Sequence, residues 1–445
     1  MKFGRRMLVV YQVFARNYSL DGTLRAVTQD VHRIQKLGAN AIYLVPFHPI
    51  GHEGRKGTCG SPYAIEDYGE ISADLGDLKD FKALVNCVHA HGMKLVMDVV
   101  YNHTAPDSVL KKTHPEWFLR DDTGDFTRRV TDWSDVIDLD HSTGAQSGLW
   151  EYLISNLLYW ISLGCDGFRC DVAPMVPLEF WREAKRRVGQ VRADIVWIAE
   201  SSSMEFVRYL RALAIPATAD PELALVFDYT YDYDWFEVLQ SYLSGCAPLS
   251  QLLHHLYIQE TLYPVNAQKL RFLENHDQAR AADIFQSESR LRNWTVFLHL
   301  LPGAEFVYMG QEFAMGHKPD LFEKDPIDWS QITKRQLDFC EFFKRSLHLT
   351  RHIKAKCSIF RTEEIGAGIV FVTWSSDGPI SSAPSYNKYS AVLNLEERVG
   401  LLKMSRHHLK GVDQLSGDLV QLTNQSPIPR HPIIVHESPP LGMDM

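Results

Sequence analysis

Three acidic residues each follow a short apolar run: Asp171 in GFRCDVAP (167–174), Glu200 in IVWIAES (195–201) and Asp277 in RFLENHDQAR (271–280). Two carboxyls flanking a glycosidic bond can cleave it. One protonates the leaving oxygen while the other attacks the sugar or activates water. A third carboxylate near the anomeric carbon would stabilise the positive charge that develops there. Arg169 stands two residues before Asp171, so both side chains fall on one face of a strand. A guanidinium in that place favours the ionised carboxylate that a nucleophile requires. Glu200 leaves an apolar strand, and desolvation there raises an acid's pKa toward that of a proton donor.

Further polar residues accompany this set. Asp98, Asn102 and His103 lie in LVMDVVYNHT, and Asn275 and His276 precede Asp277. Asp98 is inside a strand, where an unpaired charge is costly, so a cation must meet it, and Arg169 is the natural partner. His103 and His276 can bind sugar hydroxyls. Each signal also has a plain structural reading: an ion pair, a helix N-terminal acid beside Ser201–Ser203 that could cap the following helix, or turn chemistry after a strand.

Positioning residues from such distant segments requires a repeating scaffold. Eight apolar runs are candidate strands: Leu8–Phe14, Ala41–Val45, Lys94–Val99, Gly167–Cys170, Ile195–Ala199, Leu223–Phe227, Lys269–Leu273 and Glu305–Tyr308. Near-continuous apolar runs are expected of strands buried on both faces. Helical patterns separate them. In DLKDFKALVNCVHAHG, Phe81, Leu84, Val85 and Val88 form one stripe, with Asp77 as cap and Gly92 as stop. Leu149, Leu153, Leu157 and Ile161 form another stripe, which ends at Gly164. Eight strand–helix units predict a closed (β/α)8 TIM barrel of α/β class, with catalytic residues at the C-terminal ends of its strands. An open doubly wound sheet is the competing reading, but no GxGxxG follows the first strand. The stretch from about 102 to 146 is too long for a plain turn and reads as a short subdomain inserted after strand three. Beyond residue 350 the pattern changes to short strands near 358–361, 368–374, 389–395 and 427–436. The expected organisation is therefore a catalytic barrel over 1–350 and a C-terminal antiparallel β-sandwich domain over 351–445.

Composition narrows the function classes. The chain has 445 residues, 45% of them hydrophobic and 23% charged, and a formal net charge of -9. That charge argues against a nucleic-acid binder, which needs a basic face. No run approaches the length of a membrane span. The seven cysteines show no CxxC spacing and read as free thiols of a reducing compartment, which predicts a cytoplasmic protein. The start MKFGRRMLVVYQVFA mimics an export leader but reads better as a first core strand. HExxH, P-loop and GxSxG signatures are absent.

Taken in order, DVVYNH, GFRCD, the Glu of WIAE and ENHD resemble the four motifs of the alpha-amylase family of retaining glycosidases, on strands three, four, five and seven. YQVFARNYS, YLVPFHPIG, RKGTCGSPYAIEDY, YMGQE and DPIDW support the likeness over about 7–349. The resemblance implies Asp171 as nucleophile, Glu200 as acid/base and Asp277 as transition-state stabiliser. It implies Arg169 orienting Asp171, Asp98 supporting Arg169, His103 and His276 holding the sugar, and Tyr63 as a stacking platform beneath it. Many alpha-amylases carry Lys-His three and four residues after the nucleophile, whereas Pro174 and Met175 stand here. Val172 occurs at its place in both alpha-1,6 and alpha-1,4 enzymes and sets no linkage.

A family calcium site would draw on Asn102, the acids Asp132, Asp135, Asp138 and Asp140, and a carbonyl near Met175. A solvated acidic loop without metal is the preferred reading, and no cofactor is expected. The expected partner is a maltooligosaccharide or short alpha-glucan, with neither nucleic acid nor membrane, and no sequence feature sets an oligomeric state. Transglycosylation or sucrose-type phosphorolysis at the same site is the alternative, since any nucleophile reaching a covalent intermediate can finish the reaction. A non-catalytic binding module of the same fold is the remote one.

Overall fold

The computed structural model describes residues 7–142, 146–376, 387–404 and 407–437. Eight parallel strands close into a barrel: β1 (Val9–Val13), β2 (Ala41–Leu44), β3 (Lys94–Val99), β4 (Gly167–Cys170), β5 (Val196–Ala199), β6 (Tyr229–Tyr231), β7 (Lys269–Arg271) and β8 (Ala304–Tyr308). Each pairs with its sequence neighbours, and β1 closes the ring against β8. The apolar stretch that mimics a leader is thus the first barrel strand; Met1–Arg6 lie outside the described residues.

Local chemistry explains the helices around the barrel. Asp77 caps the helix Leu78–Ala90, accepting from the N–H groups of Lys79 and Asp80, while Asp80 reaches back to complete a capping box. Phe81, Leu84, Val85 and Val88 bury the inner stripe, as their spacing predicts. Gly92, at φ +66°, turns the chain back toward β3 in a conformation that an L residue rarely adopts. At Gly167, the base of β4, a Cβ would sit 2.8 Å from Val196 O, so the close approach of β4 to β5 needs glycine.

One expected strand is wrong. Leu223–Phe227 is not in the barrel: Leu223 ends a short helix (Asp220–Leu223), and Leu225 is 64% exposed. Leu223, Val226 and Phe227 are buried from a turn, which imitates a strand's apolar content without its geometry. The sixth strand is the more polar Tyr229–Tyr231. The seventh also ends at Arg271, short of the expected Leu273.

The long segment after β3 folds back on itself. His103–Thr104 pairs with Ile137–Asp138, and Leu139 N–H donates to Asn102 O at 2.9 Å. The last barrel helix runs to Lys356, and β9 (Ile359–Gly366) opens the C-terminal region. There β9, β10 (Ile369–Ser375), β11 (Lys388–Asn394) and β14 (Ile433–Glu437) form one antiparallel sheet, and β12 (Leu409–Val412) pairs with β13 (Leu419–Leu422). Most of the Ser- and Pro-containing stretch 375–388 lies outside the described residues. Trp374 donates to Leu300 O and Trp294 to Leu395 O, tying the sheet to the barrel helices. Among the described residues, no helix is long and apolar enough to cross a membrane.

Candidate active site

The carboxylates are set at one rim because the barrel ladder continues just past each strand. Asp171 N–H donates to Val99 O at 2.9 Å, and Glu200 N–H donates to Cys170 O at 3.0 Å. Both acids therefore leave from backbone already locked in register. Between them, Val172 holds φ 40° and ψ 45°, a left-handed conformation that costs a β-branched residue about 1–3 kcal/mol. In that conformation its N–H points to Glu200 Oε2 at 2.8 Å.

Arg169 is the hub. It is fully buried on β4, which pairs with β3 and β5. Its Nη1 lies 2.9 and 3.0 Å from the two oxygens of Asp98 and 2.7 Å from Asp171 Oδ1. Its Nη2 lies 2.7 Å from Glu200 Oε1, an ion pair without hydrogen-bond alignment. Tyr43 on β2 donates to Asp98 Oδ2 at 2.5 Å. The expected Asp98–Arg169 pair is thus present, and one guanidinium is shared among three carboxyls.

That sharing changes the electrostatics expected of Asp171. Burial, then the neighbouring Glu200, raise its carboxyl well above the ordinary range, with Arg169 pulling the other way. The sequence reading had Arg169 keep this acid low. The contact is there, but one cation divided three ways does not offset desolvation plus a second carboxylate. Asp171 therefore holds its proton to higher pH than an exposed aspartate would.

A second line of contacts joins the remaining residues. Tyr63 donates to Asp98 Oδ2 at 3.1 Å and meets His276 Nε2 at 2.5 Å, and the Tyr63 and His276 rings stack 5.5 Å apart. Gln12 on β1 donates to His276 Nδ1 at 2.8 Å, which leaves the ring proton on Nε2, facing Tyr63 and Asp277. Asp277 Oδ2 lies 3.3 Å from that Nε2. Burial, then Arg169, push His276 down to about 3, so the ring is neutral. Asp277 lies on the loop past β7 and keeps 38% of its side chain open to the cleft, although protein surrounds it on most sides. Those walls raise its carboxyl, and Arg169 and Lys318 oppose them. His103 is buried and pushed down to about 4, with Nε2 4.0 Å from Asp171 Oδ2. Asn102 donates to its Nδ1 at 3.1 Å.

Asp98, Arg169, Asp171, Glu200, His103, Tyr63, His276 and Asp277 are therefore linked by contacts into one cluster, and Asn102 joins through His103. Sequence reasoning passed over Gln12, Tyr43, Tyr231 and Lys318. Tyr231 lies under the Arg169 guanidinium at 5.3 Å, and Lys318 Nζ donates to Asp277 O at 3.0 Å. Gln12 was detectable as a polar residue inside an apolar strand run. Lys318, in a loop, had no signal.

The sequence model of the family described as Alpha amylase, catalytic domain, matches residues 11–116 and 117–345. The chain belongs to the alpha-amylase family. It is an enzyme of that family. An alpha-amylase from Lactobacillus plantarum superposes with a TM-score of 0.89 at 36% identity, covering 97% of this chain and 99% of its own. An amylase from Thermotoga neapolitana, described as maltogenic, superposes at 0.82 with 33% identity, covering 96% of this chain and 98% of its own. A Bacillus cyclomaltodextrinase is 27% identical over 369 residues, which is 76% of this chain and 61% of that protein. The alpha-1,4-glucan:maltose-1-phosphate maltosyltransferase of Myxococcus xanthus is 31% identical over 212 residues, 43% of this chain. The chain spans 32% of that maltosyltransferase's length.

Proposed function

We propose that this enzyme cleaves alpha-linked glucose oligosaccharides, maltooligosaccharides or short alpha-glucans, with retention of configuration. The observation that carries the reading is the Arg169 guanidinium lying 2.7 Å from both Asp171 and Glu200 at the mouth of the barrel. Two carboxyls from adjacent strands thereby face one cleft. An Asp171 oxygen attacks the anomeric carbon as the glycosidic bond breaks, and Glu200 gives its proton to the departing oxygen. Glu200 then takes a proton from water, and that water displaces Asp171 and frees the sugar. Asp277 steadies the oxocarbenium-like charge, and the neutral rings of His103 and His276 donate to sugar hydroxyls. Tyr63 supplies a flat surface for the same sugar.

The seven unpaired cysteines support a cytoplasmic setting. Release of reducing sugar from defined alpha-1,4 and alpha-1,6 oligosaccharides tests the proposal; a panel with no product on any member refutes it. The anomeric form of the first product, read by NMR, tests retention.

One observation favours a second outcome at the same intermediate. An apolar cluster starts next to Asp171: the buried Val172, Met175 and Leu210 pack with the partly buried Val130, Trp133 and Phe206. The partly buried members hold ordered water poorly and suit the apolar face of an acceptor sugar. Longer oligosaccharides formed from maltotriose would mark transfer, and a sugar 1-phosphate formed on adding phosphate would mark phosphorolysis.

A further inference from the structure

The inserted segment after β3 is where this fold family places a structural calcium ion, and its residues do not fit one. Of the acids that could ligate, Asp135, Asp138 and Asp140 are separately engaged, and Asp132 is exposed. Lys56 pairs with Asp135 at 3.0 Å. Asp140 accepts from Ser142 N–H and Oγ at 2.9 Å each. Asp138, fully buried, receives Arg129 twice at Oδ2: the backbone N–H at 2.9 Å and Nη1 at 3.2 Å. Nη1 also reaches Leu139 O at 3.4 Å. The Asn102 Oδ1 atom is buried without a partner, as an empty ligand would be. However, the amide turns its NH2 toward Asp138 Oδ1 at 3.5 Å and His103 Nδ1 at 3.1 Å. A divalent ion shared by Asn102 and Asp138 would draw the carbonyl oxygen instead.

We propose that Arg129 is a built-in cation that replaces a bound metal ion here, holding Asp138 and, through Asn102, the ring of His103 facing Asp171. A buried carboxylate needs a compensating charge, and an arginine carried on the same loop supplies it without dependence on ion concentration. With Nδ1 of His103 occupied by the Asn102 amide, the ring proton stays on Nε2, the atom that faces the nucleophile at 4.0 Å. Arg129 acts through these residues, so it is a positioning residue.

The metal-independence rests on the loop alone, whereas the link to substrate rests on the function proposed above; the two arms of the test separate them. Thermal unfolding of the full-length protein is compared in EDTA and in millimolar calcium, with calorimetric titration of calcium. The midpoint is expected to be the same in both, with no binding heat. A calcium-dependent rise or a stoichiometric binding isotherm overturns the proposal. Arg129→Met is expected to lower the midpoint by about 5 °C and to raise KM for maltotriose roughly tenfold, while kcat changes much less. Arg129→Lys should recover most of both losses. An unchanged midpoint for Arg129→Met overturns the cation role. A lowered midpoint with an unchanged KM, in a protein active on maltotriose, overturns the link to His103.

Discussion

Two clusters of buried charge lie on opposite sides of the barrel wall, and one aspartate in each, Asp171 inside and Asp234 outside, shifts in the opposite direction to the other. Inside the barrel mouth, Arg169 meets Asp98, Asp171 and Glu200. Outside the barrel, between β7 and the helices behind it, Lys269 and Arg271 meet Asp220, Asp232 and Asp234. Asp234 is held well below the usual carboxylate range: burial works against ionisation, but Lys269, His255 and Gln259 outweigh it. Its oxygens receive Lys269 at 2.8 Å, Gln259 and Tyr263 at 2.9 Å each and His255 at 3.2 Å. Asp171 accepts a hydrogen bond at 2.7 Å from Arg169 and is raised instead. Both aspartates are buried beside a cation; they differ in how many donors are left over for them. Four donors converge on Asp234, whereas Asp171 shares one guanidinium with Asp98 and Glu200; Asp220 and Asp232, with fewer donors than Asp234, are raised by burial as Asp171 is.

The comparison breaks most decisively at turnover. Asp171→Asn and Glu200→Gln should each lower kcat by on the order of 10³–10⁵-fold with the fold retained. Steady-state assays and circular dichroism check this, with mass spectrometry to exclude deamidation of the new asparagine. Asp234→Asn should do the reverse, removing about 3–5 kcal/mol of stability at neutral pH because Lys269 loses a buried partner. Urea unfolding measures it, and the folded enzyme should keep its kcat. Because the folded-state pKa of Asp234 is depressed, the stability it contributes is present above its unfolded value. The gap between wild type and Asp234→Asn should therefore close as pH falls below about 4.

Smaller effects sharpen the contrast. Tyr63→Phe removes the hydroxyl between Asp98 and His276 and should lower kcat/KM about tenfold, near the 1.4 kcal/mol expected of one hydrogen bond to a charged group. The smallest prediction carries the most telling sign. The folded pKa of Asp171 is raised, so wild type loses stability as pH rises from its unfolded value through the folded one. Asp171→Asn should then be more stable than wild type at pH 7, by about 1 kcal/mol, and equal to it near pH 3. Paired pH–urea titrations of Asp171→Asn and Asp234→Asn should diverge in opposite directions; parallel curves would show that the two aspartates do not differ as described.

The barrel was largely legible because strands buried on both faces are written as apolar runs, and seven of the eight expected runs coincide with strands. The sixth failed where a buried turn, Leu223 to Phe227, is more apolar than the strand after it. The acids and histidines of the cleft were legible because each follows a strand in an order that few folds share. Gln12 and Tyr43 were missed because their roles depend on partners far along the chain, at His276 and Asp98. The inserted segment was read as an acidic loop, yet Asp135 and Asp138 are buried and each is paired with a cation.

Apart from the sixth strand, the chain order of strands, helices and strand-end acids follows from the sequence alone, because periodicity fixes which face a residue takes. The sharing of one guanidinium among Asp98, Asp171 and Glu200, the upward shift of Asp171 and the use of Arg129 against Asp138 were decided only by the tertiary structure. A carboxyl's proton affinity depends on the water removed around it and the donors left to it, and both come from segments that the linear spacing does not bring together.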